Sequence, residues 1–185
     1  MRNMKTKLAE AVLAFVLGVL FAIGVGVLIF GSQVFNYHSK TFFLLTDGLA
    51  GAAVFGLYRL SNVKVAILAA VLFAVVLGFI GQESHTTVFV HSIIFLLVLT
   101  YASRTLWGGE KRSPFIIKMI YLAVALALAG VLITVILTFI TGGPLYQEAV
   151  LDNVVLVVLT GIGLGFGFEI ADLLGRVIRN AQRAD

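Results

Sequence analysis

Cysteine is absent from this chain of 185 residues. Disulfides, thiolate metal sites and a cysteine nucleophile are therefore excluded. Charge is scarce as well. Only 12% of the residues are Asp, Glu, Lys or Arg, against roughly 25% in an ordinary soluble domain. A chain so poor in charge cannot cover its own surface in water. A mean hydropathy of +1.10 makes lipid the natural solvent for most of it. The motifs of soluble enzymes are missing too: no Ser–His–acid pattern, no G-x-S-x-G turn, no phosphate loop. Gly163-x-Gly165-x-Gly167 has the glycine spacing of a nucleotide loop, but no strand precedes it and it lies in mid-span. The sequence holds no recognisable catalytic constellation, and an enzyme is the less favoured class.

What the chain does have is long apolar runs. A spanning helix needs about 20 mostly apolar residues. Six stretches meet or approach this, at 9–31, 42–60, 64–82, 87–103, 115–141 and 152–175. The first follows a basic start, Arg2, Lys5 and Lys7. It exceeds the about 7–15 apolar residues of a signal peptide, so it reads as a retained helix. Pro114 precedes the fifth span, where proline suits a helix start. Gly142, Gly143 and Pro144 stop it. The expected fold is all-α, a single polytopic transmembrane domain of six helices over residues 1–185.

The loops alternate in charge. Twelve of the thirteen Lys and Arg residues flank one side of such a bundle, and only Lys40 falls on the other. The positive-inside rule then places both termini in the cytoplasm, with the bundle in the plasma (inner) membrane. The net charge of +4 is thus a topology signal and not a nucleic-acid patch. Trp107, Tyr101, Tyr58 and Phe115 are expected as interfacial anchors on the inner side, Tyr37 and Tyr146 on the outer. A short motif also recurs: Gly18-VLFAIGVG, Ala70-VLFAVVLG and Gly130-VLITVILT. It hints at three helical hairpins.

The sixth span carries the most information. On a helix, Gly161, Gly165, Glu169, Asp172 and Arg176 share one face, at steps of 4, 4, 3 and 4. Gly161-x-x-x-Gly165 and Gly163-x-x-x-Gly167 are overlapping small-xxx-small patterns, which let a neighbouring backbone approach closely. They suit packing within the bundle, against a second copy, or against a partner in a membrane complex. The other reading is a thin wall beside a conduit. Glu169 and Asp172 form either an interfacial pair with Arg176 or a proton- or cation-linked site. Asp152, with Asn153, is expected to cap the outer end of this span. Asp47, in the second span, is either a helix cap or a buried functional carboxylate.

His91 is the one histidine well inside a span, and histidines there usually face a partner or a cavity. His38, His85 and His91, with outer carboxylates including Glu83 and Glu148, have the ligand types for a divalent metal but not a metal-site spacing. No cofactor is expected otherwise. Asp47, His91, Asp152, Glu169 and Asp172 are the candidate substrate- or ion-binding residues. Acids at both mouths of the bundle point first to a small solute or ion, handled as a transporter, channel or solute-binding component. A non-catalytic scaffold or complex subunit is the alternative. A metalloprotein or enzyme with an extracytoplasmic His/carboxylate site is the third reading.

Overall fold

The computed structural model describes residues 4–80, 84–108 and 113–184, with the side chains of residue 179 and of 181–184 excepted. Arg2, Glu83, Lys111 and Arg112 lie outside the described residues, as do the side chains of Arg179 and Arg183. The described chain is all helix and turn, with no strand. Among the described residues, six helices are long and apolar enough to cross a membrane. They are α1 (Met4–Phe30), α2 (Phe42–Leu60), α3 (Val63–Ile80), α4 (His85–Trp107), α5 (Phe115–Thr141) and α6 (Gln147–Ala184). α2 and α5 run over the expected 42–60 and 115–141. α4 and α6 extend past their apolar cores at both ends, because polar residues there continue the helix.

Local chemistry explains the ends. α1 runs into a 3-10 turn, Gly31–Phe35. Gly31 takes φ 59°, a left-handed conformation that costs little without a Cβ. Gly142 ends α5 in the same way, at φ 66°. Ser84 caps α4 by accepting the Thr87 N–H.

The helices fall into two groups. Of the most apolar window in α2, α4 and α6, 50%, 50% and 56% is buried; for α1, α3 and α5 the shares are 22%, 22% and 33%. The even-numbered helices form the inside of the bundle and the odd-numbered ones wrap it. α1 packs along α2 and α6, α5 along α6, and α3 along α4. Large apolar side chains such as Leu28 on α1, Leu72 and Phe79 on α3, and Leu128 and Phe139 on α5 stand exposed on the outer helices. That is the pattern of a surface solvated by lipid rather than water.

The glycines of α6 divide between its two neighbours. Gly163 and Gly167 meet the α1 backbone: a Cβ would lie 2.6 Å from Ala22 Cα in the first case and 2.6 Å from Gly18 Cα in the second. Gly161 and Gly165 turn instead toward Leu126, Leu122 and Met119 of α5. Close backbone approach maximises van der Waals contact where no hydrophobic drive separates helix from lipid. At mid-depth the three inner helices converge on Gly51 of α2, where a Cβ would lie 2.7 Å from both Leu99 and Leu164 side chains. Below them Phe55 stacks on Phe168 at a centroid distance of 3.7 Å, and Trp107 packs edge-on against both. The centre is an apolar plug.

These contacts rank three substitutions. Gly163→Ala should destabilise the protein by about 1–3 kcal/mol, because the α1 backbone must move. Gly165→Ala should cost less, since the atoms it meets are the far ends of Leu122 and Met119. Gly24→Ala meets nothing within 4 Å and should cost nothing. Denaturant unfolding in detergent micelles checks the order; equal effects at Gly163 and Gly24 would contradict the packing.

Candidate functional site

Charged residues collect at the two ends of the plug. One end carries most of the Lys and Arg residues and is termed the basic end; the Lys40 end is opposite. At the basic end α6 divides its two acids between two networks. Asp172 accepts from Arg59 of α2 at 3.2 Å and pairs with Arg176 one turn on. Arg59 also reaches Glu10 of α1, at 3.0 Å. Glu169 turns the other way. Its Oε2 accepts from Lys118 Nζ of α5 at 2.7 Å and from the Trp107 indole N–H of α4 at 2.8 Å. The Lys118 ammonium stands 5.5 Å from the Trp107 ring centre, within range of a cation–π contact.

The opposite end holds a smaller, more deeply buried cluster. Asp47 of α2 and His91 of α4 are both buried, with Asp47 Oδ2 3.0 Å from His91 Nε2. Ser92 Oγ donates to the other carboxylate oxygen, Oδ1, at 2.8 Å. Phe43 stacks on the imidazole at a centroid distance of 4.3 Å. With Asp47 ionised, Nε2 is the protonated ring nitrogen and both carboxylate oxygens are satisfied. Beside this cluster lies a cavity of about 180 Å³. Lys40 lines it from the loop before α2, Phe43 from the first turn of α2, His91 from α4, Leu137 from α5, and Asp152 and Leu156 from α6. Lys40 and Asp152 pair across its mouth at 3.2 Å with side chains 68% and 52% exposed. An ion pair that open to solvent contributes about 0–1 kcal/mol, so its partners can be exchanged cheaply. Asn153 donates to Thr134 of α5 at 2.9 Å and helps hold α6 there.

No family model, curated protein or solved structure matches this chain.

Several expectations change on this geometry. Asp47 is no helix cap. α2 starts at Phe42, so Asp47 lies more than a turn inside it. Asp152 does not cap α6, which begins five residues earlier at Gln147. Glu169 and Asp172 share a helix face in the sequence pattern, yet they diverge to different neighbours. Asp172 keeps the expected Arg176 pairing; Glu169 uses neither Arg176 nor Asp172. Trp107 is buried and hydrogen-bonded rather than an interfacial anchor. Lys118, counted among the loop charges, is buried inside α5. Asp47, His91 and Asp152 come together at one end; Glu169 and Asp172 lie at the other, and the plug separates them.

The three histidines are not gathered into one site. His91 is committed to Asp47, and the His85 ring bonds the Gly78 carbonyl at 2.8 Å. His38 lies in the loop before α2, near Tyr37. Among the described residues, no three His, Asp or Glu side chains are placed to share a metal ion.

Sequence reasoning missed Glu10, Arg59 and Lys118 as interior charges. The signal for Lys118 was present: Phe115, Ile116 and Ile117 precede it, so a helix starting after Pro114 carries it inward. Glu10 is an acid in a basic, apolar setting, which suggests a buried cation partner.

Breaking the Glu169–Lys118 pair from one side strands a carboxylate in a low-dielectric interior. Lys118→Met should therefore destabilise by roughly 3–5 kcal/mol, and adding Glu169→Gln should restore much of that loss. A double-mutant cycle from unfolding curves measures the coupling. Additive effects would mean that the pair contributes nothing.

Proposed function

We propose that this chain is a multi-pass protein of the plasma (inner) membrane that binds and moves a small solute or ion. Its site is the cavity at the Lys40 end, with the Asp47–His91 pair as the proton-exchanging group. Both termini lie in the cytoplasm, because the basic end is the cytoplasmic one by the positive-inside rule.

One observation carries this reading: a buried carboxylate–imidazole pair stands next to a cavity that has polar groups at its mouth. Ionisable groups inside a membrane are costly and mark substrate paths or proton relays. An imidazole can donate a proton at one ring nitrogen and accept one at the other. The pair at Asp47 also differs from the networks at the basic end. Those tie α1, α2, α4, α5 and α6 together. They suit a lock that holds the bundle closed at its cytoplasmic end. Passage then requires the plug at Gly51, Leu99 and Leu164 to part, in an alternating-access cycle.

A scaffold or complex subunit is the second reading. The fully paired networks at the basic end favour it, since rigid packing is what such a subunit needs. It predicts stable partners or a homo-oligomer on purification.

In proteoliposomes with a trapped pH dye, Asp47→Asn should abolish proton movement, Ser92→Ala should slow it, and the exposed Glu148→Gln should leave it unchanged. Wild-type rates from a folded Asp47→Asn protein would overturn the proposal. Because the chain has no cysteine, single-cysteine variants report topology without background. Cysteines at position 64 or 104 should react with an impermeant maleimide only from the cytoplasmic side, and one at position 38 only from outside.

A further inference from the structure

The cavity at the Lys40 end has a charge pattern that selects its ligand class. We propose that it binds a small zwitterion, with an anionic group held by Lys40, a cationic group held by Asp152, and an apolar body against Phe43 and Leu156. This inference rests on the reading of that cavity as the solute site.

Size comes first. A cavity of about 180 Å³ is below the roughly 300–1,000 Å³ of pockets for drug-sized ligands. It takes a small solute. Charge comes next. Lys40 and Asp152 neutralise each other at 3.2 Å. A lone anion at Lys40 would bring a second negative charge beside the Asp152 carboxylate, and a lone cation at Asp152 a second positive charge beside the Lys40 ammonium. A zwitterion inserts between them and keeps both paired. Since the pair is largely exposed, it adds little to folding and opens readily.

The rest of the wall is consistent with one apolar face. Phe43 is held in place by stacking on His91. Leu156 lies one turn beyond Asp152, on the same side of α6. The imidazole of His91, itself tied to Asp47, forms part of the lining. A bound ligand therefore sits beside the group proposed to exchange protons, which is the arrangement needed to couple solute and proton.

The test uses three probes that share one body: valine, 3-methylbutanoate (no amine) and 2-methylpropan-1-amine (no carboxylate). Their binding to the purified full-length protein in micelles is measured by calorimetry. Valine should bind at least tenfold more tightly than either single-charge analogue. In Asp152→Asn the preference of valine over 3-methylbutanoate should vanish, and Lys40→Gln should weaken both acids while folding normally. Equal binding of all three probes, or an unchanged preference in Asp152→Asn, overturns the proposal. If none of the three binds while Asp47-dependent proton movement persists, the zwitterion assignment falls and the solute-site reading stands. If binding and proton movement are both absent, both readings fall.

Discussion

A charge inside this bundle must be matched by another within reach, because a low-dielectric interior penalises an unpaired charge. That constraint organises both ends of the molecule. A single charge in the bilayer interior costs roughly 2.5–3.5 kcal/mol even on the lenient insertion scales. Of the interior acids, Asp47, Glu169 and Asp172 each have two partners, and Glu10 has Arg59. Pairing over such short distances demands that the helices lie close. The glycines of α6 make that possible, two against α1 and two against α5. Close packing and ionic pairing are thus one device: the first brings the carboxylates of α6 within reach of Arg59 and Lys118.

The two ends use this device differently. At the basic end the charges saturate one another and link five helices through α6. At the opposite end Asp47 is equally satisfied, but its partner His91 also lines a cavity. The Lys40–Asp152 pair at the mouth is exposed and weak. On the proposed reading, one end holds and the other exchanges partners. Between them Phe55, Phe168, Leu99 and Leu164 fill the centre with buried apolar side chains.

Much of the architecture was legible in the chain. Hydropathy marks six spans because each apolar run must cover itself with lipid or with another helix, and the alternation of basic loops supports the same count. The ends of α4 and α6 were less legible. Hydropathy stops where polar residues begin, whereas helical hydrogen bonding continues through His85 and Gln147. Trp107 and Lys118 depart from the sequence expectation for a related reason. Both lie near a span boundary, where tryptophan and lysine usually meet headgroups, and nothing in their local sequence reveals that Glu169 draws them inward.

Sequence alone determined the class of structure and where interior charge would be trouble: six apolar helices, a glycine-striped α6, and acids at 47, 169 and 172 that need partners. Composition and periodicity carry that much, because they act on each helix separately. Only the tertiary structure decided which partners these acids take. Glu169 and Asp172 lie three residues apart and yet serve different networks, and Asp47 meets a histidine 44 positions away. Those pairings depend on how six helices are arranged around one another, and a pattern read along a single helix has no access to that arrangement.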